Sequence, residues 1–317
     1  MVANAVGKDT QPPANLFAAH QHVLRERLLF LLATQHPVLR ADVVRALEEE
    51  GKLLAKPPAD AVAVRPAGSW ALLTMLVAQH IAPDIDLVCV SGVAIAVECL
   101  VCALDLLDDV EDEDQTPSIQ VLGVARALNV ATALMMLAQQ AISSLSQQAV
   151  PPGRILSLLD TLQASALNAA GGQHRDLLAE QRSAQELTLE ECIEIAASKA
   201  GALMRLACRL GALCAGADEV MCEHFSELGE LLGIAHQLDN DAHDLYYLLQ
   251  SETSAVPLMK AENITRSIKT DLVRQKKTLP VVLAARVNSS LQKASAPVEK
   301  EEHLRALHEG IITTWGI

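Results

Sequence analysis

The amino-acid sequence predicts an all-α fold, a single bundle of ten or more helices, and three observations carry that expectation. Half of the 317 residues are apolar, and that share comes mainly from Ala, Leu and Val, with only three Phe, two Trp and two Tyr. Alternation of apolar and polar residues, the signature of a half-buried strand, is hard to find anywhere. Long apolar or amphipathic runs follow one another with mostly short connections.

In chain order, residues 1 to 16 read as a flexible N-terminal tail, and Pro57, Pro58 and Pro66 punctuate the region after a first helical stretch. The spacing then predicts helices over 67–81, 85–113, 119–147, 154–169, 173–185, 189–215 and 218–249, with shorter helices from 257 onward. Pro117 is expected to stop one helix, and Pro151-Pro152-Gly153 to separate two more. Thr188 with Glu191 forms a capping-box pattern that opens another. The polar stretch Lys293 to Glu302 reads as a connection before a last amphipathic helix, so residues 17–317 are expected to form one domain.

A formal net charge of −14 argues against a nucleic-acid partner, which is bound through clustered Lys and Arg, and makes divalent cations the expected guests. The seven cysteines lie in apolar stretches without C-x-x-C spacing, which fits core thiols in a reducing compartment. The first residues lack the apolar run of a secretory signal, and the expected location is cytoplasmic. Leu87 to Leu107 is long and apolar, yet it carries Glu98 and Asp105 and runs into Asp108 and Asp109, so a buried core helix is expected rather than a transmembrane span.

Ala103 to Asp114 reads A-L-D-L-L-D-D-V-E-D-E-D, and helical geometry places Asp105, Asp108, Asp109 and Asp112 on one face. Like charges so close resist ionisation unless cations neutralise them, which points to hard ions such as Mg²⁺ that complete their shell with phosphate oxygens. A solvated acidic helix end is the competing reading. A second stripe supports the first, because Gln237, Asp241 and Asp244 fall on one helix face at spacings of four and three. Lys199, in an apolar helix, and Lys276, in a stretch that reads as mobile surface, are candidate cations for a bound diphosphate. His236 and His243 share a face turned from these aspartates, which favours interhelical contacts over metal ligation.

Taken together, these residues resemble the polyprenyl synthetase (trans-isoprenyl diphosphate synthase) family over about residues 60 to 285. The resemblance rests on D-D-x-x-D (Asp108, Asp109, Asp112), preceded by Ala96-Val97-Glu98-Cys99, and on G-Q-x-x-D-L (Gly172, Gln173, Asp176, Leu177). It rests also on a mid-helix Lys199, on a second aspartate motif (Gln237, Asn240, Asp241, Asp244) with Asn240 where Asp is more usual, and on K-x-T-L-P (Lys276, Thr278, Leu279, Pro280). It implies a helical bundle of the isoprenoid synthase type around a central cavity, with the two aspartate faces opposed across its mouth. Asp108, Asp109, Asp112, Asp241 and Asp244 would hold three Mg²⁺ ions with the substrate, and Lys199, Lys276, Gln237 and Gln173 would bind its diphosphate. The prenyl tail would point past Cys102, Ala103 and Leu104, whose small members imply an allylic substrate of fifteen carbons or longer. A homodimer is implied as well.

The pattern departs from the family where chain-elongating members bind isopentenyl diphosphate. Their Gly-Gly-Lys-x-x-Arg-Pro stretch has its nearest counterpart in Asp60 to Pro66, where only Arg65 and Pro66 match. The paired arginines after the first motif are replaced by Gln115-Thr116-Pro117-Ser118, and a His or Gln position on the helix holds Val101. A second diphosphate would be left with uncompensated charge. The sequence reading is therefore an enzyme that ionises an allylic prenyl diphosphate and passes the cation to an acceptor other than isopentenyl diphosphate, or to simple terpene formation. Two alternatives stay open: chain elongation, and a non-catalytic subunit of a heteromeric synthase. Seven aromatic side chains of the Phe, Trp and Tyr type are few for elaborate cyclisation, which steers cations with ring faces.

Overall fold

The computed structural model describes residues 13–54, 69–253 and 276–287, with side chains over 18–54, 70–242 and 276–286. Among the described residues every regular element is helical. Helices α1 (Pro13–Leu32) and α2 (Pro37–Glu49) precede α3 (Ser69–Ile81), and the central α4 (Leu87–Glu111) follows. Next come α5 (Pro117–Leu122), α6 (Val124–Ser143), a 3-10 turn (Ser144–Gln148) and α7 (Pro152–Glu180). Helix α8 (Leu189–Ala196), a π-helical segment (Ala197–Gly201) and α9 (Ala202–Ala215) form one continuous rod. Helices α10 (Glu219–Thr253) and α11 (Leu279–Val287) complete the described architecture. The tail reading of 1–12, the region 55–68, the stretch 254–275 and the last connection and helix lie outside the described residues. Helix α1 already begins at Pro13, inside the stretch read as tail.

Helix α4 is the axis of the bundle. Asp86 caps it by accepting from the Val88 N–H at 2.9 Å, and from Val90 to Ala103 every residue is buried. Its small residues let α3, α6 and α9 pack close around it; at Gly92 an added Cβ would lie 2.9 Å from Leu145 Cδ2. By length and composition alone α4 and the stretch Val124–Gln148 could cross a membrane, but 78% of the apolar window of α4 is buried inside the fold. The core-helix expectation thus agrees with its placement. Six of the seven cysteines are buried and reduced, and the seventh, Cys89, is half-buried with its Sγ 3.8 Å from Cys214 Sγ.

Three helix boundaries differ from the sequence expectation. Pro117 does not stop a helix; it opens α5 at the first-turn position a missing N–H tolerates, behind Thr116, whose Oγ1 accepts from the Ile119 N–H. The stretch expected as one helix over 119–147 breaks at Gly123, which takes a φ of 70° open to glycine and strained for other residues. Conversely, the two helices expected over 154–169 and 173–185 are the single α7. Gly171 and Gly172 each weaken an isolated helix by about 1 kcal/mol, and packing overrides that preference here.

Candidate active site

The packing that overrides it also builds the site. A Cβ added at Gly172 would lie 2.6 Å from Ser198 Cβ, and one at Gly233 would lie 2.4 Å from the Ala200 carbonyl oxygen. Both glycines therefore let α7 and α10 press directly against the π-helical segment that carries Lys199. A π turn adds a residue to the helix and re-aims the side chains on it. Here it turns Lys199 inward, where Nζ donates to Asp176 Oδ2 at 2.8 Å and to Asp108 Oδ1 at 3.2 Å. Burial alone would depress this ammonium, but Asp108 and Asp176 outweigh it and hold its pKa above the usual lysine value.

Lys276 is likewise not a mobile surface group. It is 8% exposed just before α11, and it is paired with Asp112, which caps the C-terminal end of α4 and is 2% exposed. A third lysine, Lys52, follows the end of α2 and pairs with Asp105. The aspartates of α4 therefore do not form one acidic patch. Asp112, Asp108 and Asp105 descend the helix in steps of four and three residues, and each meets a lysine from a different part of the chain. Asp109 points elsewhere and accepts from Thr116 Oγ1 at 2.7 Å.

The expected resistance to ionisation is visible on the remaining groups. Burial, reinforced by Glu50 and then by Asp105 and Asp108, pushes the Asp109 carboxyl up to about 8. Burial and Asp108 raise Asp112 to about 6 against the pull of Lys276. On α10, Gln237 donates to Asp241 Oδ1 at 2.9 Å, and Asp241 is buried. Asp244 belongs to α10, but its side chain and that of His243 lie outside the described residues.

A cavity of about 840 Å³ opens between these elements. Lys52, Asp105, Asp108, Gln173, Lys199 and Gln237 supply its polar wall, and leucines of α3, α4 and α7 with Met204 supply its apolar wall. A smaller cleft of about 40 Å³ joins it at Lys199 and Gln237 and is bounded by Asp176, Asp241 and Lys276. Both amide atoms of Gln173 are buried without a hydrogen-bond partner on the wall of the main cavity, an arrangement that costs free energy until a ligand supplies the bonds.

Two residues named from the sequence as prenyl pocket do not line this cavity. Cys102 and Ala103 are fully buried in the core, and of the three only Leu104 reaches the wall. Helical periodicity turns residues 102 and 103 away from the face shared by 104, 105 and 108. His236 makes the interhelical contact expected of it, standing edge-on to Trp70 of α3 with ring centroids 6.4 Å apart, and it also faces the cavity. The sequence reading passed over Lys52 and Trp70. The available signal was the pair Gly51-Lys52 directly after a helix; the stretch Asp60 to Pro66, read from the sequence as the nearest counterpart of the Gly-Gly-Lys-x-x-Arg-Pro motif, lies outside the described residues.

Among the described residues no group of three or more His, Cys, Asp or Glu side chains is close enough to hold a metal ion by itself. The carboxylates at the mouth nonetheless suit Mg²⁺, a hard ion that binds through one or two carboxylates and takes further oxygens from substrate phosphates and water.

An all-helical bundle with lysines and carboxylates at the mouth of an apolar cavity defines an isoprenoid-synthase-like protein. The polyprenyl synthetase profile matches residues 64–309, and the chain belongs to that family. A solved geranylgeranyl pyrophosphate synthase superposes with a TM-score of 0.74 at 18% identity, over 95% of this chain and 86% of that one. A polyprenyl synthetase from Streptomyces coelicolor A3(2) gives 0.68 at 25% identity, over 96% and 89%. The chain is also 35% identical over 153 residues to the tryptophan prenyltransferase ComQ of Bacillus spizizenii, covering 47% of this chain and 49% of that protein. It is 31% identical over 185 residues to a geranylgeranyl diphosphate synthase of Mycobacterium tuberculosis, covering 56% and 47%. The chain thus spans about half the length of these curated relatives.

Proposed function

We propose that this protein is a Mg²⁺-dependent prenyltransferase that ionises an allylic prenyl diphosphate and delivers the prenyl cation to an acceptor other than isopentenyl diphosphate. The observation that carries the reading is the junction of the two cavities. Lys199, Lys276 and Gln237 converge there with Asp108, Asp112 and Asp241, and an apolar chamber opens beside them.

In this reading Asp108, Asp109, Asp112, Asp241 and Asp244 would hold Mg²⁺, which would supply positive charge against the departing diphosphate. Substrate binding would separate the present Lys199–Asp108 and Lys276–Asp112 pairs. Lys199 and Lys276, released from Asp108 and Asp112, then donate to the phosphate oxygens, where charge builds as the C–O bond breaks. Gln173 supplies its free amide to the bound substrate, and Gln237 orients Asp241. The leucine wall excludes water from the cation. The electron pair of the broken bond leaves with the diphosphate, the acceptor supplies the pair for the new bond to carbon, and the proton the acceptor sheds passes to the released diphosphate.

The tail is expected to contain fifteen carbons or more, since the cavity lies toward the upper end of the range of about 300–1,000 Å³ common for small-molecule sites. The similarity to a protein named tryptophan prenyltransferase favours an indole-bearing acceptor. A homodimer is expected through the outer face of α6, where Val124, Leu128 and Met136 are exposed at spacings of four and eight.

The test is incubation of the purified protein with Mg²⁺ and allylic diphosphates of ten, fifteen and twenty carbons, with and without isopentenyl diphosphate or an indole acceptor, and identification of products by mass spectrometry. Release of diphosphate with prenylated indole or terpene products is expected. Elongated diphosphates as the main products would restore the chain-elongation reading, and failure to release diphosphate from any substrate would sink catalysis.

A further inference from the structure

The third of these pairs, Lys52–Asp105, stands apart from the Lys199 and Lys276 pairs assigned above to the allylic diphosphate. Asp105 lies one helical turn deeper than Asp108, about 4.5 Å farther along α4, on the wall of the main cavity. Its partner Lys52 is 8% exposed and lines the same wall. Behind them Glu98 is fully buried; its Oε2 accepts from the Ala71 N–H at 3.2 Å, and its Oε1 has no partner. Burial pushes the Glu98 carboxyl above the usual glutamate range, against the pull of Lys52. Trp70 and leucines of α3 complete this part of the wall.

A nearly buried lysine on a cavity wall is a natural seat for an anionic second substrate. In this chain the seat is already taken, since Asp105 neutralises Lys52 within the protein. To reach Lys52, a second diphosphate would have to displace Asp105. That would leave the freed carboxylate partly buried in an acidic neighbourhood that includes Asp108, Asp109 and Glu50. A neutral acceptor meets no such obstacle. Its apolar body can rest on Trp70 and the leucines, and its N–H or O–H can donate to the exposed edge of Asp105, whose side chain is 40% accessible.

Building on the prenyltransferase reading, we propose that Asp105 is the specificity-determining residue for the acceptor: by occupying Lys52 it closes the cavity to an anionic second substrate and presents a hydrogen-bond acceptor to a neutral one. The pair sets which acceptor enters; it does not act on the diphosphate that leaves.

The test compares the parent protein with Asp105→Asn, Asp105→Leu and the double variant Asp105→Asn/Lys52→Gln. Calorimetric titration with isopentenyl diphosphate, alone and with Mg²⁺ plus a non-ionisable allylic thiolodiphosphate, reads binding without turnover. Either single variant frees one charge-assisted donor and is expected to bind isopentenyl diphosphate at least about tenfold more tightly than the parent. The double variant is expected to lose that gain, which a merely structural role of Asp105 would not produce. With farnesyl diphosphate, indole and isopentenyl diphosphate present together, the product ratio is expected to move from prenylated indole toward elongated diphosphate in Asp105→Asn. Isopentenyl diphosphate bound as tightly by the parent as by both single variants overturns the proposal, as does a gain that survives Lys52→Gln. Thermal melts with the thiolodiphosphate verify that each variant is folded. Failure of the parent to release diphosphate would sink the catalytic reading, whereas the binding comparison addresses Asp105 separately.

Discussion

Gly171 and Gly172 are adjacent in α7, and replacing each by Ala should move stability in opposite directions. At Gly171 the new methyl meets nothing within 4 Å, so only the helix preference acts, and stability should rise by about 0.5–1 kcal/mol. At Gly172 the same gain is opposed by contacts of 2.6, 2.8 and 2.9 Å with the Cβ, carbonyl carbon and carbonyl oxygen of Ser198. Two of these three atoms are backbone and cannot swing away. Overpacking of this kind costs about 1–3 kcal/mol, and with the propensity gain subtracted we expect a net loss of about 1–2 kcal/mol. That corresponds to a fall in Tm of about 1.5–3 °C for a chain of this size.

Activity should fall further than stability, because the segment that must yield carries Lys199 in the next position. A displacement of about 1 Å at a positioning group can cost about a hundredfold in rate. Differential scanning fluorimetry and diphosphate release from farnesyl diphosphate, measured on both variants and the parent, check the argument. Equal effects of the two substitutions, or a Gly172→Ala protein that loses stability while keeping full turnover, would refute the claim that close packing of α7 on the π segment aims Lys199.

Ala at Asp108 or Asp241 should abolish Mg²⁺-dependent diphosphate release, and undiminished release would contradict the assigned roles. Asp112→Ala removes a carboxylate partner of Lys276 from a site where both are almost fully buried, and should cost about 3 kcal/mol in a denaturant melt; Asp112→Ala combined with Lys276→Met should recover much of it. Without Mg²⁺, stability should depend on pH through Asp109 and Asp112. Both carboxyls have pKa values raised on folding from 3.8, to about 8 and about 6, so their contribution is full below the unfolded value and fades as pH rises through the folded ones. Thermal melts should therefore show a decline across that window, and Mg²⁺ with an allylic diphosphate analogue should reverse it by binding the ionised forms.

Sequence alone determined the helical class and most of the rods, because apolar periodicity and capping are local properties. Thr188 and Glu191 form the capping box their spacing predicts, with the Glu191 N–H donating to Thr188 Oγ1 at 3.0 Å. It also singled out Asp108, Asp112 and Asp241, since residues three and four apart on a helix share a face, and Lys199 as a cation in an apolar helix. It could not say what those groups face. That Lys276 is buried against Asp112, 164 residues away, and that Lys52 occupies Asp105 follow from the packing of α2, α4 and α11, which no local pattern encodes. The same limit explains Cys102 and Ala103, whose small size was visible but whose direction was decided by the helices around α4. Local chemistry chose the residues; long-range packing decided which carboxylate meets which lysine, and with that which charges are left for a substrate.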